Sequence, residues 1–152
     1  MCIRDRTQME DIGGCRVIVA SMAEVRRIEE HVRRSRSRTE LVSTDDYVSG
    51  PPGPRRWGYR AVHLHTVRDG MKVEIQLRTD RQHQWAEAVE EWDQTFVSDL
   101  KHEHGPEPVL TYYRLFSEAY AYEDQGEQVP SELREQIRMT ADRVRGELGE
   151  AR

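Results

Sequence analysis

Cysteine is nearly absent: Cys2 and Cys15 are the two in 152 residues. Two such residues build no disulfide framework and no paired zinc spacing, which fits a reducing compartment. Also missing is any apolar run of the ~20 residues needed to cross a bilayer. No charged, apolar, small-residue series resembles a secretory leader. A soluble, cytoplasmic protein without membrane contact is the resulting expectation. No Walker loop, His-Glu-x-x-His pair or G-x-S-x-G elbow occurs, which removes the familiar signatures of P-loop, zinc and serine-hydrolase chemistry. A net positive charge is lacking too. The formal charge of -5 argues against a general nucleic-acid coat. Arg26, Arg27, Arg33, Arg34, Arg36, Arg38, Arg55, Arg56 and Arg60 nevertheless make the first half locally basic. Such a patch is either a solvated face or a receiver of phosphates.

What is present is a polar but periodic chain, 36% hydrophobic and 34% charged, of a size for one domain. The opening "MCIRDR" reads like a translated transposon-end adapter, so residues 1–6 are expected to be scar, with the natural chain starting upstream of Thr7. "GGCRVIVAS", residues 13–21, is a continuous apolar run that predicts a buried strand with Cys15 as a small buried hydrophobe. A helix is expected over 22–36, with Val25, Ile28 and Val32 on one stripe and a basic opposite face. "TELVS", residues 39–43, predicts a short edge strand, and "TDDYVSGPPGPRRWG" a long loop.

Then comes "YRAVHLHTVRDGMKVEIQLRT", two alternating runs joined by Asp69-Gly70, a pair suited to a two-residue hairpin turn. That turn sets the register: Arg68 opposite Met71, His65 opposite Glu74, His63 opposite Gln76 and Ala61 opposite Arg78. Tyr59, His63, His65, Glu74, Gln76 and Arg78 then share one face, and Val62, Leu64, Val73, Ile75 and Leu77 the other. Helical stripes follow: Trp85, Val89, Trp92, Phe96 and Leu100; Tyr113, Phe116 and Tyr120; and, after the Pro130-Ser131 start signal, Leu133, Ile137, Ala141, Val144 and Leu148. All are read as core. The polar C-terminal residues are expected to fray.

A strand face carrying an acid, an amide, two imidazoles, a tyrosine and nearby arginines suits phosphate chemistry. Magnesium is held by one or two carboxylates together with substrate phosphates. Glu74 is one candidate ligand, and Asp11, just ahead of the first strand, is a second. Arginines of the Pro-rich loop would grip phosphate oxygens through forked hydrogen bonds. The ring of Tyr59 offers a surface on which a base can stack. A merely solvated polar face is the alternative that spacing alone leaves open.

Taken in series, "QMEDIGGCRVIV", "DYVSG", "GYRAVHLHT", "VEIQLRT" and "QHQWAEAVEE" resemble the RelA/SpoT synthetase domain. The resemblance spans about 8–91 and weakens towards 122. It implies an α+β, nucleotidyltransferase-like fold, a mixed sheet flanked by helices, with the domain over 7–104 and a C-terminal helical extension over 105–152. The implied reaction moves pyrophosphate from ATP to the 3′-hydroxyl of GTP or GDP with Mg2+, in the service of the stringent response. Residue by residue, Asp11 would bind magnesium, and Glu74 would sit near metal and acceptor hydroxyl and assist its deprotonation. Tyr59 would stack on guanine, with His63 and Gln76 beside the acceptor. Arg55 falls where the family has a phosphate-binding lysine, Arg56 and Arg60 lie in the same basic stretch, and His83 sits where a polar residue reaches towards guanine. Arg78 and Arg16 read as structural.

The sequence also departs from the pattern. An Arg/Lys-rich donor loop ahead of Asp11 is absent, which implies poor ATP binding. The Pro-rich loop is longer than usual, and Asp45 stands where a basic residue often precedes "DY". Two other readings stay open beside the synthetase: a relative that pyrophosphorylates the 3′ end of tRNA, gripped by the arginines of 26–38, and a guanine-binding module without chemistry. The terminal helix is suited either to packing on its own domain or to a homo-oligomer.

Overall fold

The computed structural model describes residues 13–35, 38–51, 53, 55 and 57–150, with 147–150 by backbone alone. Asp11, Arg56, the adapter-like hexapeptide and the side chain of Leu148 lie outside the described residues. The elements are β1 Gly13–Val19, α1 Met22–Arg34, β2 Thr39–Asp46, β3 Val62–Arg68, β4 Met71–Thr79, α2 Asp80–Phe96, α3 Glu107–Asp124 and α4 Ser131–Glu150, with a short 3-10 turn at Leu100–His102. This is the expected α+β class, a mixed sheet with helices before and after it.

Strand order is β1-β4-β3-β2. β1 runs parallel to β4, while β2 with β3 and β3 with β4 are antiparallel. The hairpin has the register that its turn dictates, with Arg68 opposite Met71, His65 opposite Glu74 and His63 opposite Gln76. Asp69 at φ 51° and Gly70 at φ 80° both take the left-handed conformation, as a tight hairpin turn with the twist of the strands requires. α1 starts where Ser21 accepts the Glu24 N–H at 3.3 Å while the Glu24 carboxylate accepts the Ala20 N–H at 3.0 Å. The Ser21 bond is an N-cap that satisfies a donor the helix cannot satisfy itself. Val25, Ile28 and Val32 of α1 then pack on Val62, Leu64 and Leu77. Val25, Val62, Leu64 and Leu77 are fully buried, each worth roughly 1.5–3 kcal/mol of burial.

A second core joins Trp85, Ala86 and Val89 of α2 to Leu100, Val109 and Val144, and a third packs Leu115 and Ala119 of α3 on Leu133 of α4. α2 begins at a full capping box, in which the Thr79 hydroxyl accepts the Gln82 N–H and the Gln82 amide oxygen accepts the Thr79 N–H, both at 3.2 Å. The strand β4 therefore turns straight into the helix, which fixes α2 at the end of the hairpin. No described helix is long and apolar enough to cross a membrane.

Four sequence expectations are corrected. β1 is not a buried strand: residues 13–16, Cys15 among them, are exposed, and Ile18 is 40% exposed. It lies at the end of the sheet with β4 as its neighbour, and only Val17 and Val19 reach the core under α1. β2 is longer than "TELVS", taking in Thr44–Asp46 from the expected loop, because Asp45 and Asp46 pair with His63 and Val62. α1 stops at Arg34, since the Ser35 backbone is extended. Phe96, read as core, is 46% exposed at the end of α2.

Candidate functional site

α1 covers the apolar side of the sheet, so alternation sends the other side chains of β4 to the opposite face. Pairing arranges that face in rows. Ser43, His65, Glu74 and Gly14 form one row across the four strands, and Asp45, His63, Gln76 and Arg16 form the next. Gly14 leaves the space beside Glu74 free of a side chain. Tyr47 continues β2 by donating its N–H to the Ala61 carbonyl at 2.9 Å. Tyr59 enters ahead of β3.

Hydrogen bonds join Arg78 to Tyr59, Tyr59 to His63 and Gln76 to Glu74, and His63 lies close to Glu74 between the two groups. The Arg78 guanidinium donates to the Tyr59 oxygen at 2.8 Å, and that hydroxyl lies 2.6 Å from His63 Nε2. Arginine can only donate, so Tyr59 accepts from Arg78, and a Tyr59 O–H donated to Nε2 corresponds to the tautomer with the proton on Nδ1. Nδ1 in turn faces Glu74 Oε1 at 3.4 Å, and the same oxygen accepts the Gln76 amide at 2.5 Å. A second series borders this one. Arg55 donates to the Tyr47 hydroxyl at 2.9 Å, and Asp45 Oδ2 lies 3.4 Å from that hydroxyl and 3.2 Å from His65.

Burial tunes the titrating members. It holds the His63 pKa below the ordinary imidazole range, with Glu74 opposing and Arg78 and His65 adding to the depression. His63 is therefore neutral at neutral pH. Burial likewise raises the Tyr59 phenol against the pull of Arg78. Glu90 is lowered, chiefly by the Lys101 ammonium bonded to it at 2.8 Å.

Beside the polar face opens a cleft of about 280 Å³, lined by Arg16, Tyr59, Gln76, Arg78, Glu90 and Lys101 among others. Trp57 and Trp85 form its aromatic wall. A larger depression of about 820 Å³ lies between α1 and β2. It holds none of the acid, amide and imidazole side chains of the sheet face, so its size does not make it the chemical site.

Of the expected site residues, Glu74, His63, Gln76 and Tyr59 come together, and Arg55 stands at their border. Arg60 does not join them. Its Nε donates to Ser117 at 3.1 Å and it faces Glu118 and Asp124, because alternation turns it away from Tyr59. His83 pairs with Glu87 at 3.3 Å, on the helical stripe that continues through Ala86 to Glu90. Arg78, 5% exposed, donates to Tyr59 and lines the cleft, and Arg16, read as structural, is exposed and lines the cleft as well. Sequence reasoning missed Tyr47, Trp57 and Lys101. The period-two series Ser43, Asp45, Tyr47 signals the first; nothing local signals Lys101.

The arginines of α1 are matched by acids of their own chain. Arg26 pairs with Glu29 and Asp46, Arg27 with Glu24, Arg33 with Glu29 and Arg34 with Glu30. Among the described residues no group of three or more His, Cys, Asp or Glu is placed to hold a metal. Glu74, half-buried with hard oxygen donors, still suits a magnesium ion that takes its other ligands from phosphates.

Comparison with known proteins bears on the family and the fold. The family model described as a region found in RelA / SpoT proteins matches residues 3–94. The fold resembles small alarmone synthetase 2 of Bacillus subtilis (TM-score 0.68, 21% identity, 78% of this chain and 64% of that one). Small alarmone synthetase 1 of the same organism, bound to its product pppGpp, gives a TM-score of 0.64 at 23% identity over 78% of this chain and 61% of that one. A GTP pyrophosphokinase family protein of Streptococcus pneumoniae gives 0.62 at 18% identity over 78% and 58%. The chain thus spans less than two thirds of the length of these structures. Among curated protein sequences none matches. With more than half of its residues matched by that one model, the chain belongs to the RelA/SpoT family.

Proposed function

We propose that this chain carries the acceptor half of a pyrophosphotransferase that moves the β,γ-pyrophosphoryl group of ATP to the 3′-hydroxyl of GTP or GDP. The observation that carries the reading is the series of contacts from Arg78 through Tyr59 and His63 to Glu74 and Gln76 on one sheet face. Family membership supports it. So does a fold shared with synthetases bound to pppGpp and to AMPCPP.

In this reading Glu74 takes the proton of the 3′-hydroxyl as that oxygen bonds to the β-phosphorus, and the bond from that phosphorus to the bridging α-phosphate oxygen breaks to release AMP. A base within hydrogen-bond reach is worth about 10²–10⁴ in rate. The Gln76 amide bonded to Glu74 Oε1, with neutral His63 close to the same oxygen, orients the carboxylate before substrate arrives. Arg16, exposed at the cleft, offers positive charge to phosphates, and Tyr59 a ring to the base. Magnesium, held by Glu74 and Asp11 with phosphate oxygens, would neutralise phosphate charge when bound.

ATP labelled in the β-phosphate, incubated with magnesium, GDP, GTP or tRNA and a version of the chain extended ahead of Asp11 by an Arg/Lys-rich donor segment, tests the assignment by which acceptor carries label. Label on the guanine nucleotide, lost in Glu74→Gln, is the expected result. Label on tRNA alone would move the acceptor to RNA, and undiminished turnover in Glu74→Gln would remove the base.

A further inference from the structure

Trp57 stands where a base would. Its indole stacks on Tyr59 with ring centroids 5.2 Å apart and planes 30° apart, and on Trp85 with the same separation and tilt. A flat ring held between two others separates them by about 7 Å, two carbon contact distances. Nothing therefore inserts between Trp57 and Tyr59 at 5.2 Å. The rest of the Tyr59 ring is also engaged, with the Arg78 guanidinium 5.1 Å from its centroid and Tyr47 and His63 edge-on at 5.6 and 5.7 Å. The ring offered to a base already has an aromatic partner from its own chain.

The backbone next to Trp57 is tied down. The Gly58 N–H donates to the Arg55 carbonyl at 2.8 Å, and the Ser117 hydroxyl donates to the Gly58 carbonyl. Gly58 sits at φ +102°, and a Cβ there would come within 2.9 Å of Ser117 Cβ and 3.2 Å of Arg114 Cα. The part able to leave is accordingly the half-buried indole, by rotation about its own side-chain bonds.

We infer that Trp57 occupies the base position on Tyr59, so that nucleotide binding here exchanges the indole for the base. The inference rests on the proposed reading of the sheet face as a guanine-nucleotide site. Each binding event must first undo the stacks of Trp57 on Tyr59 and on Trp85, and the apparent affinity falls to the fraction of molecules in which the indole is away. Each stack accounts for about a 2- to 12-fold effect.

Calorimetric titration of the chain with GDP and magnesium, compared across wild type, Trp57→Phe and Trp57→Ala, tests this. Trp57→Ala is expected to bind about 4- to 100-fold more tightly and Trp57→Phe to fall between. GDP is also expected to raise acrylamide quenching of tryptophan emission in wild type and not in Trp57→Phe, because only the former releases an indole. Equal or weaker binding by Trp57→Ala, with GDP still bound by wild type, overturns the exchange and leaves the site reading standing. No GDP binding by either protein overturns both. Should Trp57→Ala lose its fold, quenching decides alone: a GDP-dependent rise confined to wild type supports the exchange, and its absence refutes it.

Discussion

Removing one oxygen from Tyr59 should cost more than a surface substitution can. In Tyr59→Phe the ring, its stack with Trp57 and its packing persist, while the hydroxyl that accepts from Arg78 at 2.8 Å and faces His63 Nε2 at 2.6 Å disappears. Arg78 is 5% exposed, so water cannot easily replace the lost acceptor. A hydrogen bond to a charged group contributes about 1.5–3 kcal/mol and a neutral one about 1 kcal/mol. The expected loss is about 2.5–4 kcal/mol, or a fall in Tm of about 5–15 °C for a chain of this size. Urea unfolding gives the free energy through a shift in midpoint at constant slope. The same substitution removes a donor to the neutral form of His63, so an NMR titration should find its pKa higher than in wild type. A stability change under about 0.5 kcal/mol, with an unmoved His63 pKa, would refute the hydrogen-bond chain.

Other expectations follow from the same geometry. Gly58→Ala should destabilise by about 2–4 kcal/mol in urea unfolding, because φ is +102° and a Cβ would meet Ser117, Trp85 and Arg114. Leu64→Ala should cost about 2–5 kcal/mol, since Leu64 is fully buried between α1 and the sheet. Thr79→Ala should cost about 1–2 kcal/mol by removing the cap of α2 and the 2.8 Å bond to Asp124. For pH, the depressed His63 means that the unfolded chain binds the proton more readily. Its contribution is therefore fully present above about pH 6.5 and is lost as the pH falls towards the folded value. A urea midpoint that declines below pH 6.5 in wild type, and less in His63→Gln, is the matching observation.

How much of this was legible before the structure depends on the range of the interaction. Asp69-Gly70 specifies its own turn, and a two-residue turn leaves no freedom in register, so the shared face of His63, Glu74 and Gln76 could be read directly. The helices were legible from their apolar stripes and, for α4, from Pro130-Ser131, which act on residues next to them. Burial of β1 was not, since an apolar run says nothing about how many strands flank it. Arg60 was grouped with Tyr59 by adjacency, yet adjacent residues in extended chain face opposite ways, and Arg60 reaches Ser117 on α3 instead. Trp57 stacking on Trp85 and Lys101 bonding to Glu90 join separate elements. The α1 arginines looked like a phosphate or RNA grip until their acid partners were placed beside them at one-turn spacing.

The reaction proposed here requires an acceptor oxygen beside Glu74, and a crystal structure of the chain with GDP and magnesium measures that directly. The expected density places the base on Tyr59 with Trp57 swung aside and the ribose 3′-oxygen about 2.6–3.2 Å from a Glu74 oxygen, or one water away. Guanine bound elsewhere, or a 3′-oxygen turned from Glu74 beyond the reach of a single water, would contradict the account.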